Sequence, residues 1–145
     1  MAKTASDGLS QEEREAVKNR AKELRDQAKA GKSREAGTKQ VLEAIDKLDG
    51  TDREIAEGLH KVVGEVAPDL VPKTYYGFPA YANAAGKVVV AFKNSGKFNL
   101  RYSTLEFQDA ANLDDGDVWP VSFGIARWSP AVEQKVAEAV VAAVS

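Results

Sequence analysis

Thr74-Tyr75-Tyr76-Gly77-Phe78-Pro79-Ala80-Tyr81-Ala82-Asn83-Ala84-Ala85-Gly86-Lys87-Val88-Val89-Val90-Ala91-Phe92-Lys93-Asn94-Ser95-Gly96-Lys97-Phe98-Asn99-Leu100-Arg101-Tyr102-Ser103 reads as three adjacent antiparallel strands. The runs 87–93 and 97–103 are rich in β-favouring residues, and Asn94-Ser95-Gly96 lies between them with glycine last, where a three-residue hairpin loop wants a left-handed residue. Pairing Lys93 with Lys97 sets Phe92 opposite Phe98, Val90 opposite Leu100 and Val88 opposite Tyr102, so large apolar residues meet across the pair. One strand back, pairing Asn83 with Lys87 sets Ala82, Ala80 and Phe78 against Val88, Val90 and Phe92. Phe78, Phe92 and Phe98 then form an aromatic row on the core face. Tyr81, Val89 and Arg101 line the other face, amid Lys87, Lys93 and Lys97.

The chain around this sheet has 145 residues, 43% of them apolar, enough for one domain with its own core and an appendage. It holds no cysteine and one histidine, His60, which excludes disulfides, thiolate nucleophiles and histidine-rich or cysteine-ligated metal centres. The first residues lack an apolar signal core and no apolar run is long enough to span a bilayer, so a cytoplasmic location with no membrane partner is expected. The net charge of −2 announces no polyanionic partner.

Ser10 and Glu13 match a capping box that opens a charged helix running to about Ala30. Val17, Ala21, Leu24 and Ala28 give it only a narrow apolar seam, which suits a solvated helix or a weak dimer contact. Residues 31–37 read as a polar linker, dividing a helical extension (1–37) from a compact domain (38–145). In that domain Val41, Leu42, Ile45 and Leu48 mark a short amphipathic helix. Thr51 and Glu54 form a second capping box, before a helix that buries Ile55, Leu59, Val62, Val63 and Val66. His60 falls at the edge of that stripe. Residues 104–112 fit either a short helix, by the Ser103–Glu106 capping match, or a strand. Val121, Phe123 and Ile125 alternate as a strand. Ser129-Pro130 starts a last helix, whose Val132, Val136, Val140 and Val144 should lie on the sheet beside the Ile55-to-Val66 helix.

Tyr75-Tyr76-Gly77-Phe78-Pro79-Ala80-Tyr81, Lys97-Phe98 and Leu113-Asp114-Asp115-Gly116-Asp117-Val118-Trp119-Pro120, in this order, resemble the YdhG-like domain family over roughly residues 38–145. The resemblance implies a frataxin-like α+β fold, an antiparallel sheet of about five strands with helices on one face, here preceded by the charged helix. It also implies an iron-chaperone role, with an iron-accepting protein as partner.

The residues themselves support a non-catalytic binding protein. Tyr75, Tyr81 and Arg101, with Lys87 and Lys97, offer aromatic faces and cations for a small planar or anionic ligand. Asp114, Asp115 and Asp117, or Asp52, Glu54 and Glu57, offer oxygen ligands for weakly held iron, though a tight turn and an ordinary solvated helix face explain them better. No other cofactor is required. Nucleic acid is the alternative partner, on the basic sheet face extended by the N-terminal helix. Catalysis has the least support, since no nucleophile stands with a histidine base and no phosphate loop is present.

Overall fold

The computed structural model describes residues 10–145, apart from the side chains of residues 23, 24, 26–33 and 98. The chain forms two compact units, Met1–Ser33 and Arg34–Ser145. Helix α1 covers Gln11–Asp46, and its start is capped as the sequence predicts, Ser10 Oγ accepting from the Glu13 amide at 3.1 Å. It continues through the stretch expected to be a linker. Gly37 is the reason a glycine is required there, because a Cβ would strike the Pro72 carbonyl. Arg34, assigned by sequence to the linker, instead opens the second unit. Its guanidinium donates to the carbonyls of Pro68 and Leu70 at 3.2 Å and of Asp69 at 3.3 Å.

Helix α2 (Gly50–Val66) has Asp49 rather than Thr51 at its N-cap. The remaining elements are β1 (Val71–Tyr75), β2 (Phe78–Ala82), β3 (Val88–Lys93), the single turn α3 (Ser95–Phe98), β4 (Ser103–Phe107), β5 (Ser122–Ile125) and α4 (Pro130–Val144). Ser129 Oγ caps α4 by accepting from the Val132 amide at 3.2 Å, as expected. The strands form an antiparallel meander in the order β1-β2-β3-β4-β5, so the fold is α+β with a five-stranded sheet. Strand β1 and its turn at Tyr76-Gly77 were not foreseen. Residues 103–107 resolve to strand, not helix.

Two pairings differ from the sequence reading. Lys97-to-Ser103 is not a strand: Asn94 leads into α3, which closes on a left-handed Asn99 (φ 54°) with the Leu100 amide donating to the Ser95 carbonyl at 2.9 Å. The partner of β3 is therefore β4, with Val90 opposite Phe107 and Phe92 opposite Leu105. Leu100 and Tyr102 stay exposed. On the other side of β3, Ala82 faces Val88 as expected, but Tyr81 faces Val90 and Ala80 faces Ala91. Val89 is the extra residue of a β-bulge. A one-residue slip reverses every side chain beyond it. Tyr81 thus turns inward, and Phe78 and Ala80 turn outward.

The core lies between the sheet and the helices on one face. Tyr81, Val90, Phe92, Leu105 and Phe107 pack with Ile55, Leu59 and Val62 of α2, Val136 and Val140 of α4, and Val41 and Ile45 of α1. Gly58 lets α2 approach the Trp128 ring, which a Cβ would overlap. Gly58→Ala should therefore lower stability by about 1–3 kcal/mol through overpacking. Gly64→Ala, exposed on the same helix with nothing within 4 Å of the new methyl, should raise it by about 0.5–1 kcal/mol. Urea midpoints of the two variants check both signs.

Candidate functional site

The β1–β2 hairpin turns on Tyr76 (φ 50°) and Gly77 (φ 81°), with Tyr75 opposite Phe78. Two positive φ values suit the right-handed strand twist, but on a tyrosine the first costs strain of order 1–3 kcal/mol. Tyr76 is 80% exposed, and its ring meets that of Tyr75 edge-on at 4.6 Å. Lys97 Nζ donates to the Tyr76 carbonyl at 3.3 Å and sits 4.2 Å from the centre of the Phe78 ring. The hairpin tip is therefore an aromatic group with a cation fixed beside it.

Behind the tip, Lys73 opposes Ala80, Ala80 opposes Ala91, and Ala91 opposes Glu106. This row lies on the face away from Tyr81 and the helices. Ala80 and Ala91 are fully buried beneath the longer side chains of this face. A cleft of about 390 Å³ is lined by Lys73, Tyr75, Lys87, Val88, Gln108 and Asp109 among others. Among the described residues neither Lys73 nor Lys87 forms an ion pair, whereas Lys93 is bound to Glu106 at 3.0 Å.

Of the ligand residues expected from sequence, Tyr75 and Lys87 line this cleft, whereas Lys97 is held at the hairpin tip by Tyr76 and Phe78. Tyr81 does not belong there, because the bulge at Val89 directs it to the core. Arg101 lies in the segment before β4 and covers the Tyr102 ring at 4.9 Å. Lys73, Gln108 and Asp109 were missed. Lys73 and Tyr75 alternate on one side of β1, a signal readable only once 71–75 is taken as a strand.

Asp114, Asp115 and Asp117 are exposed in the connection from β4 to β5, and no group of three potential metal-ligating side chains forms among the described residues. Of the helix acids, Glu54 is exposed and the other two are engaged in other ways. Glu57 accepts from Arg53 at 2.7 Å. Asp52 Oδ1 accepts from Ser95 Oγ at 2.6 Å and Ser103 Oγ at 2.9 Å, and Oδ2 accepts from the Gly96 amide at 3.0 Å. Desolvation pushes the Asp52 carboxyl upward, but these hydrogen bonds outweigh it and hold the pKa below the ordinary carboxylate value. On the core side, His60 Nδ1 lies 2.9 Å from Tyr81 Oη. Burial lowers the histidine pKa and raises that of the phenol, so the pair is neutral.

Searches of protein-family models, curated proteins and solved structures find no match to this chain.

Two tests follow from these polar pairs. Asp52→Asn should cost about 1–3 kcal/mol at pH 7, because buried Ser103 loses its charged acceptor. A lowered folded pKa contributes stability above the unfolded value of 3.8 and loses it as pH falls through the folded value. The difference between wild type and variant, read from urea midpoints, should therefore narrow below about pH 4. His60 also has a lowered folded pKa, so its contribution is complete above 6.5 and lost as pH falls below that. His60→Gln should flatten the decline in midpoint between about pH 7 and 5.

Proposed function

We propose that this chain is a non-catalytic binding protein that holds a small planar anion on the open face of its sheet. The observation that carries the reading is the convergence of Lys73, Tyr75 and Lys87 on one cleft, the two lysines without ion-pair partners among the described residues. A volume of about 390 Å³ is within the range of roughly 300–1,000 Å³ found for small-molecule sites. A ring would lie on Tyr75 while its anionic group meets the ammonium groups, and Gln108 supplies a neutral donor and acceptor. His60, the sole histidine, is bonded to Tyr81 on the other side of the sheet, so no imidazole reaches the cleft. The iron-handling role implied by the YdhG-like resemblance has less support, since its acids are hydrogen-bonded elsewhere or stand apart.

Exposed Tyr76, with Lys97 beside it, also favours a second reading in which single-stranded nucleic acid stacks on the hairpin tip. Adenosine monophosphate is a suitable first probe, because it joins a planar base to a phosphate. Its titration, followed by amide chemical shifts, should perturb Tyr75, Lys87 and Gln108. Replacing Lys73 and Lys87 together by alanine should weaken it by about tenfold or more. Unchanged affinity in that variant would overturn the proposal. A single-stranded oligonucleotide whose affinity rises with length and falls steeply with salt would establish the nucleic-acid reading in its place.

A further inference from the structure

A separate cleft lies on the helix side of the sheet, at its last strand. Strand β5 pairs with β4 on one side only and has just four residues, so it forms the edge of the sheet. Leu105, Phe123 and Ile125 form the sheet wall of a cavity of about 260 Å³, and Val132, Val136 and Ala139 of α4 form the other wall. Ala139 is the small residue that leaves the space open, where a larger side chain on the same helical face would close it.

The mouth of this apolar slot is positive. Arg127 follows β5 and Lys135 lies in the second turn of α4; both line the cavity and both are exposed. No acidic residue lines it, and among the described residues neither cation forms an ion pair or hydrogen bond. Lys61, by contrast, has Glu65 and Glu133 at 4.0 and 3.8 Å. Apolar walls take a hydrocarbon body, and a guanidinium beside an ammonium takes a carboxylate, the guanidinium through two parallel hydrogen bonds. The volume is below the range of about 300–1,000 Å³ typical of drug-sized ligands, which limits the body to a single ring or a short chain.

We infer that the cleft between β5 and α4 binds a small apolar monocarboxylate, with the carboxylate at Arg127 and Lys135 and the hydrocarbon against Phe123, Val136 and Ala139. This site shares no lining residue with the sheet-face cleft and stands or falls independently of it.

Octanoate is the probe, with octanol as the uncharged control and acetate as the control without a tail. Octanoate should shift the amides of Gly124, Ala126, Val136 and Ala139. Across hexanoate, heptanoate and octanoate, affinity should rise by about fourfold per methylene until the slot is full. Arg127→Gln combined with Lys135→Gln should weaken octanoate by about tenfold or more and leave octanol unchanged. Both residues are exposed, so this variant keeps the fold. Ala139→Leu should fill the slot and abolish binding of both compounds. Octanoate shifts located elsewhere, octanol binding as tightly as octanoate, or full affinity in the double glutamine variant would each overturn the inference.

Discussion

The insertion of Val89 between two paired positions governs this molecule more than any other local feature. A strand has two faces because its side chains alternate, and an extra residue exchanges them. On one side of the bulge Ala82 meets Val88; on the other Tyr81 meets Val90. Val89 itself joins the core, and its carbonyl accepts from the Gln108 amide at 2.9 Å, so the irregular position leaves no carbonyl unsatisfied. Tyr81 becomes a buried residue bonded to His60. Ala80 and Ala91 turn to the opposite face, where they are buried beneath its longer side chains. The same displacement thus supplies a core aromatic and sets small buried residues under the opposite surface.

Asp52 performs a comparable function at the other end of β3. One carboxylate, on the first turn of α2, receives hydrogen bonds from two groups of the β3–β4 connection and from Ser103, the first residue of β4. Ser103 Oγ in turn accepts from the Ser95 amide at 3.1 Å. These bonds hold α3 as a helical turn and place the start of β4 at Ser103. A three-residue loop would satisfy local turn preferences and bring Phe92 against Phe98. The longer connection brings Phe92 against Leu105, and leaves Phe107 to pack edge-on with Phe123 at 5.9 Å. A tertiary contact across more than forty residues here overrides local turn chemistry.

What could be read from the sequence follows from the range of each signal. The α+β class, the stripe of α2, the stripe of α4 as far as Val140 (Val144 is exposed, and Ala143 is buried in its stead), the Ser10 and Ser129 caps and the Ala82–Val88 pairing all rest on neighbours within a few residues. The errors share the opposite origin. No local feature marks Val89 as a bulge, because three consecutive valines fit either register equally well. Gly96 looks like a hairpin glycine until Asp52 claims its amide. Gly31 and Gly37 look like linker residues until Pro72 shows why one of them must be small. Half of the candidate site was lost to the same cause: Tyr75 and Lys87 are conspicuous in composition, whereas Lys73 and Gln108 join them only through strand register.

The two faces of the sheet also carry different constraints. On the helix side the residues opposite α2 and α4 are close to fully buried, and a change of one methylene is felt by the whole unit. On the other side Phe78, Ala80 and Ala91 are buried too, but Lys87 and Tyr76 stand in water, and their removal costs little folding energy. Lys73, Lys87 and Tyr76 are thus poorly explained by stability. Tyr76 adds strain in a left-handed turn where asparagine or glycine would fit more easily. A strained, exposed aromatic on the same face as lysines that form no ion pair among the described residues is an arrangement that folding alone does not select, and it marks that face as a binding surface.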